Sequence, residues 1–195
     1  MLKTSRVFFL FVTLLYLSSV YSANASEAGP FQGRIVNVET KQPLEGVVVL
    51  IEWRQVHFFS GSTFIDAKET LTDKDGKFYI PGIWILNPWK RLNTEAHVTI
   101  YKSGYGSTSA AMGQMAGLWD ALVEIEWGAP KGTFIWKFEN GNPVFMLKKL
   151  TVEERKKYST PGWEGIPIEK AMLLIQEINK EGKFFGLGEV GPVRR

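Results

Sequence analysis

Apolar and polar residues alternate with a period of two along most of the chain between Phe31 and Leu150. The alternation predicts strands at residues 34–38, 47–53, 64–71, 77–80, 97–102, 123–127, 133–138 and 144–148. Gly, Pro, Asn and Asp residues separate these segments, and Asp73-Lys74-Asp75-Gly76 has the composition of a tight hairpin turn. Short strands in this number predict a mainly β fold, an antiparallel sandwich of seven to eight strands.

Two stretches interrupt the alternation. Residues 81–94 are rich in tryptophan and too irregular to be predicted as a strand, so we expect a loop there. Residues 107–118 are small and polar, and we expect a second loop with one helical turn.

The period becomes helical after residue 150. Thr151 and Glu154 have the spacing of a capping box, in which each side chain accepts a hydrogen bond from the other residue's backbone N–H. The sequence therefore predicts a short helix that ends near Tyr158.

A second helix is predicted from Pro167, whose missing N–H costs nothing in the first turn, to a stop near Gly182. One face of this helix is apolar and consists of Ile168, Ala171, Met172, Ile175 and Ile178. We expect residues 151–195 to be a helical C-terminal extension that packs on the sandwich of residues 26–150.

The N-terminus has the pattern of a cleavable signal peptide over residues 1–25. Lys3 and Arg6 precede an uncharged and mostly apolar run at residues 7–20, and Ala23-Asn24-Ala25 supplies the small residues of a cleavage site. The run is shorter than the roughly 20 residues that span a bilayer. We expect an exported protein, periplasmic or extracellular, with no transmembrane segment after cleavage.

The charge and the cysteine content of the chain argue against several classes of function. The net charge is +3, but residues 1–25 hold two of the 23 basic residues and none of the 20 acidic ones, so the remainder has a net charge of +1. This balance gives no electrostatic case for binding nucleic acid. The chain has no Cys, which excludes disulfides, thiolate metal sites and a cysteine nucleophile.

The sequence offers no catalytic or metal-binding motif. His57 and His97 lack the spacing of zinc ligands, and in a calcium loop starting at Asp73 the fifth and twelfth positions would be Lys77 and Trp84. The chain has neither a Gly-x-Ser-x-Gly elbow nor a phosphate-binding glycine loop. We expect no metal, no cofactor and no enzymatic activity. The sequence does not exclude a pair of carboxylates for glycoside hydrolysis, because only the fold would bring such a pair together.

Tryptophan is the strongest lead to a binding site. Trp84, Trp89, Lys90 and Arg91 lie together in the predicted loop, and aromatic and arginine side chains dominate binding energy at protein interfaces. The alternative is that both tryptophans cover the end of the sandwich, where a large aromatic side chain gains most from burial.

Four sequence blocks, in order, resemble the carboxypeptidase regulatory-like domain: residues 33–36, 41–49, 72–78 and 102–105. The resemblance implies a transthyretin-like sandwich that serves as a folding or interaction accessory and not as a catalyst. Residues 81–94 depart from the family, which has a shorter connection there. Residues 144–189 are similar to the tails of exported bacterial proteins that carry this domain.

We therefore expect a non-catalytic exported β-sandwich module, protein-binding or structural, in the cell envelope or extracellular space. The expected partner is another envelope or extracellular protein, met through residues 81–94 or at a sheet edge. The alternative is carbohydrate binding, with Trp84 and Trp89 stacked on a glycan. A hydrolase ranks last.

Overall fold

The computed structural model describes residues 26–57, 60–87, 90, 93–112, 134–140, 142–157, 160–163 and 165–191. The strands in these ranges are β1 (Ser26–Ala28), β2 (Phe31–Asn37), β3 (Val48–His57), β4 (Gly61–Leu71), β5 (Lys77–Ile80), β6 (Ile83–Ile85), β7 (Thr94–Tyr101), β8 (Thr108–Met112), β9 (Phe134–Glu139) and β10 (Asn142–Leu147). The helices are α1 (Val152–Lys157), a 3-10 turn (Ile168–Lys170) and α2 (Met172–Phe184). The predicted signal peptide, residues 1–25, and the predicted strand at 123–127 lie outside the described residues.

Two four-stranded sheets face each other. Sheet I has the order β5-β2-β10-β9, and sheet II has the order β4-β3-β7-β8. A separate ribbon pairs β1 with β6. The predicted mainly β sandwich with a short helical C-terminal extension is therefore confirmed.

One strand pair departs from the predicted antiparallel arrangement. β10 runs parallel to β2, with Val144 opposite Arg34 and Leu147 opposite Asn37. Every other described strand pair is antiparallel. The alternation of apolar and polar residues fixes which face of a strand is buried but not the direction of its neighbour, so the sequence could not predict this pair.

The main core lies between the two sheets. It is formed by alternate residues of the facing strands, among them Phe31, Ile35, Val49, Ile51, Trp53, Phe78, Ile80, Val98, Ile100, Phe145 and Leu147. Trp53 is fully buried, and its indole N–H donates to the carbonyl oxygen of Ala28 at 3.2 Å. The ring of Phe31 lies 5.9 Å from the Trp53 ring, centroid to centroid.

A second apolar layer covers the outer face of sheet II. Leu174, Ile175 and Ile178 of α2 pack in one cluster with Val48 and Leu50 of β3. Because β3 is covered on both faces, its sequence is a continuous apolar run and not an alternation.

The hairpin turn before β5 forms as predicted. The Asp73 carboxylate accepts hydrogen bonds from the backbone N–H groups of Asp75 (2.9 Å) and Lys77 (2.8 Å). Gly76 has a φ of +72°, and a Cβ there would lie 2.3 Å from the carbonyl oxygen of Ile35, so only glycine fits.

The two predicted loops each contain a strand, which corrects the prediction. β6 lies within residues 81–94, and β8 lies within residues 107–118, whose remaining residues 113–118 are outside the described part. β6 is only three residues long and pairs with β1, and β8 is a strand because it pairs with β7. Tertiary pairing overrides weak local propensity at both places.

The capping box of α1 is present as predicted. The backbone N–H of Thr151 donates to Glu154 Oε2 at 2.8 Å, and the N–H of Glu154 donates to Thr151 Oγ1 at 3.2 Å. The Lys148 ammonium and the Thr151 amide together lower the pKa of Glu154 to about 2.

The second helix differs from the prediction at both ends. The segment after Pro167 is a 3-10 turn, and Ala171 has a non-helical backbone (φ −133°, ψ 25°), so α2 begins only at Met172. Gly182 lies inside α2, and the helix is closed by Gly186 at a φ of +69°.

A Schellman motif ends α2. The N–H of Gly186 donates to the carbonyl oxygen of Lys183 at 3.1 Å, and the N–H of Leu187 donates to that of Gly182 at 2.8 Å. Gly182 therefore contributes to the stop through its carbonyl group, four residues before the glycine that reverses the chain. None of the described helices is long and apolar enough to cross a bilayer.

Candidate functional site

The predicted binding residues that the structure describes lie on the β1–β6 ribbon and in the loop after it. Trp84 is the central residue of β6 and lies opposite Glu27 of β1. Lys90 is described and exposed, whereas Trp89 and Arg91 lie outside the described residues. Of the four residues predicted from sequence, the structure therefore locates Trp84 and Lys90.

Alternation along β6 places its side chains on two sides. Ile83 packs against the main core and Ile85 is buried, whereas Trp84 is 65% exposed and Leu86 is 79% exposed. The alternative in which Trp84 covers the end of the sandwich does not fit this exposure. We call Trp84 and Leu86 the ribbon surface.

The ribbon is fixed to the body of the sandwich. The buried Trp53 indole holds the backbone of β1 through Ala28. The Lys68 ammonium on β4 donates to the carbonyl oxygens of Pro81 (3.1 Å) and Gly82 (2.7 Å), which connect β5 to β6. Trp84 therefore lies on a strand that is fixed in two ways. Its partner strand β1 is bonded to Trp53, and the residues just before it are bonded to Lys68.

The loop after β6 is held by its own polar groups. The backbone N–H of Lys90 donates to Asn87 Oδ1 at 3.2 Å, and its carbonyl oxygen accepts from Thr94 Oγ1 at 2.6 Å and from the N–H of Asn93 at 3.2 Å. These bonds fix the backbone of Lys90 and leave its side chain exposed.

The two histidines lie on different strands and have separate partners. His57 Nε2 lies 2.8 Å from Thr63 Oγ1, and His97 Nε2 lies 3.8 Å from Glu95 Oε2. Within the described ranges, no group of three or more His, Asp or Glu side chains is placed to hold a metal ion.

Sequence reasoning missed the carboxylate of Glu181 on α2, which accepts more hydrogen bonds than the other carboxylates in the described part of the chain. Its oxygens accept from Arg155 Nε and Nη2 (both 2.7 Å), from Ser103 Oγ (2.7 Å) and from the backbone N–H of Gly104 (3.0 Å). Burial raises the pKa of Glu181, but the hydrogen bonds from Arg155 and Ser103 outweigh burial, and the pKa is lowered. Glu181 thus joins α1, α2 and the turn after β7.

Glu177 makes a parallel link one helical turn earlier. Its carboxylate accepts from the backbone N–H of Ser103 at 3.0 Å and from the Lys180 ammonium. Burial and the charges of Glu181 and Glu177 raise the pKa of Tyr101. The i, i+4 spacing of Glu177 and Glu181, next to the apolar stripe, was the sequence signal for this cluster.

Glu69 of β4 caps α2 from a distant part of the chain. Its two carboxylate oxygens accept from the backbone N–H groups of Leu173 (2.7 Å) and Leu174 (3.1 Å). The N-cap residue itself, Ala171, has no side chain for this task. Burial raises the pKa of Glu69, although the bonds from the helix amides act in the opposite direction.

No protein-family model and no curated protein sequence matches the chain. The solved structures similar to it include the pilus adhesin RrgA of Streptococcus pneumoniae (15% identity, TM-score 0.41), with 64% of this chain and 15% of that chain covered. A 3-chlorocatechol 1,2-dioxygenase from Rhodococcus opacus has 20% identity and a TM-score of 0.32, over 64% of this chain and 62% of that one. A 9R-lipoxygenase from Cyanothece has 14% identity and a TM-score of 0.26, over 71% of this chain and 26% of that one. The chain spans less than two thirds of the length of each.

Proposed function

We propose that this protein is a non-catalytic, exported β-sandwich module that binds another protein of the cell envelope or extracellular space. The observation that carries the proposal is the exposed Trp84 side chain on a strand whose next residue, Ile85, is buried. Trp84 and Leu86 together present apolar surface that the fold itself does not use.

The ribbon surface has the properties of an interface anchor. Tryptophan is enriched among the residues that contribute most to binding between proteins. Because the bonds from Trp53 and Lys68 fix the ribbon, little backbone freedom is lost when a partner binds. We propose that Lys90 contributes to the same interface, together with its sequence neighbours Trp89 and Arg91.

A non-catalytic role is supported by the contacts of the buried and half-buried carboxylates. Glu181 and Glu177 join the helices to the turn after β7, and Glu69 caps α2. Each of these carboxylates accepts hydrogen bonds from other groups of the protein, so its position has a structural reason that does not require a substrate.

We also propose that residues 26–150 are a carboxypeptidase regulatory-like domain and that residues 151–195 extend it. The four sequence blocks of that resemblance fall on β2, on the turn into β3, on the hairpin turn with β5, and on the turn after β7. Signal cleavage after Ala25 would leave Ser26, the first residue of β1, at the N-terminus.

The test is capture of partners from the native envelope by chemical crosslinking, with wild type, Trp84→Ala and Tyr79→Ala compared side by side. Tyr79 is a matched control because it is an aromatic residue that is 57% exposed on β5, outside the ribbon surface. We expect a protein that wild type and Tyr79→Ala capture and that Trp84→Ala loses. With that partner purified, Trp84→Ala should weaken binding by about 2 kcal/mol, roughly thirtyfold in Kd.

Both variants should melt at the wild-type temperature, because both side chains are exposed. A partner captured equally by all three proteins would contradict the ribbon surface as the interface. If no protein is captured and a glycan array binds wild type but not Trp84→Ala, the carbohydrate alternative replaces the protein-binding proposal.

A further inference from the structure

A cleft lies at the C-terminal end of the molecule, between α1, α2 and the segment at residues 187–190. Its volume is about 470 Å³, within the range of small-molecule sites. None of the residues that line it belongs to the ribbon surface, so an inference drawn from the cleft does not rest on the proposed function.

The walls of the cleft are held in place by specific bonds. The Asn179 side chain donates to the carbonyl oxygen of Val190 at 2.9 Å and accepts from the N–H of Val190 at 2.7 Å. The Schellman bond from Leu187 to Gly182 fixes the other end of the same segment. The cleft is therefore preformed on this side, which lowers the entropic cost of binding.

The surface inside the cleft is largely apolar. Ile178 and Phe185 of the α2 region line it together with Leu187 and Val190 of the segment that follows. Leu187 is 67% exposed and Val190 is 44% exposed, so these side chains offer apolar area that an occupant would remove from water.

The cleft lining has two basic side chains, Arg155 and Lys156, and one acidic side chain, Glu181, so its net charge is positive. Arg155 lines the cleft, but its guanidinium is engaged by both oxygens of Glu181. Lys156 also lines it, and across the described part of the chain no acidic side chain forms an ion pair with Lys156. The rim thus has an available ammonium group, with the hydroxyl-bearing Thr160 also in the lining.

We propose that this cleft binds a small amphipathic acid, with an apolar chain against Leu187 and Val190 and its carboxylate on the Lys156 ammonium. A charged donor and an ionised acceptor form a stronger hydrogen bond than two neutral groups do, so Lys156 selects for the acid. The apolar lining supplies binding energy in proportion to the chain area that it buries.

The experiment is calorimetric titration of the purified protein with octanoate and with 1-octanol. We expect saturable octanoate binding, and Lys156→Gln should weaken it by about tenfold while leaving octanol binding unchanged. The matched control is Lys157→Gln, which removes the same charge from the adjacent residue of α1, outside the cleft lining. It should bind octanoate as wild type does.

The site is located by amide NMR shifts and by a variant that fills the cleft. Octanoate should shift the amide signals of Gly182 and Gly188, which both line the cleft. A Cβ at Gly182 would meet its neighbours at 3.6 Å or more, so Gly182→Leu should fold, and it should lose both ligands. Absence of octanoate binding to wild type, equal losses in the two lysine variants, or shifts confined to other residues would overturn the proposal.

Discussion

Among single residues, Glu181 shows how one buried charge can connect three elements. It receives a bidentate bond from Arg155 of α1, and Ser103 and Gly104 of the turn after β7 donate to the same carboxylate. The Arg155 guanidinium also lies 3.8 Å from the centre of the Phe184 ring. Removing one partner would leave the other as a poorly compensated charge.

This arrangement predicts a pH-dependent stability. The pKa of Glu181 is lowered in the folded protein, so its ionised form stabilises the fold above the unfolded value of about 4.3, and this contribution is lost as the pH falls through the lower folded value. We expect Glu181→Gln to lower the free energy of unfolding by about 2 kcal/mol at pH 7. The difference from wild type should shrink over the pH range from 7 down through the lowered pKa of the folded protein.

Urea unfolding of both proteins at the two ends of that pH range measures the difference. Glu153→Gln is the control, because Glu153 is an exposed carboxylate of α1, and it should change stability by less than about 0.5 kcal/mol. A Glu181→Gln deficit of the same size at every pH would contradict the assignment of the stabilisation to the ionised carboxylate.

Among the secondary-structure elements, α2 shows why the two ends of a helix could not be predicted from the sequence. Its apolar stripe correctly predicts a helix, but the helix starts at Met172 because Glu69, about a hundred residues earlier in the chain, accepts the hydrogen bonds of its first amides. The capping box at Thr151 was predictable because both of its partners are local. A helix cap supplied by a distant strand gives no signal in the sequence next to the helix.

The cap predicts a specific stability loss. Glu69→Gln should lower the free energy of unfolding by about 1 kcal/mol, because the amide replaces one of the two acceptor oxygens by a donor and carries no charge for the helix dipole. Glu169→Gln is the matched control, since Glu169 lies in the 3-10 turn just before α2 and is exposed. Thermal unfolding of the two variants compares them, and equal melting temperatures would count against the cap.

The ribbon surface was predictable only in part, for a similar reason. The sequence singled out Trp84 by residue type, but its exposure follows from the pairing of β6 with β1, which places Ile85 inward. The same pairing explains why the expected loop at residues 81–94 contains a strand. The lining of the C-terminal cleft was not predicted, because its two sides come from separate elements that only the fold brings together.

Across the whole molecule, the sandwich has a third layer, since α2 covers the outer face of sheet II. Val48 and Leu50 lie under this helix and would face water without it. Deleting residues 160–195 should therefore lower the melting temperature and increase binding of an apolar dye, because it uncovers that face. An unchanged melting curve would show that the helix contributes nothing to the stability of the sandwich.

Two point substitutions test the packing of α2 without removing any part of the chain. Leu174 is fully buried and Met172 is 42% exposed on the same helix. Leu174→Ala should cost about 3 kcal/mol, whereas Met172→Ala should cost less than about 1 kcal/mol.

The parallel pairing of β2 with β10 has a consequence for the order in which the molecule can assemble. Arg34 and Val144 lie about 110 residues apart in the chain, yet they are neighbours across this pair. A chain is synthesised from its N-terminus, so β2 emerges long before the strand that must lie beside it. The four strands of sheet II all precede β10, and they are free to pair while sheet I still has an open gap at its centre. Sheet I can therefore be completed only after β10 has been synthesised, and until then the edge of β2 is open to another strand.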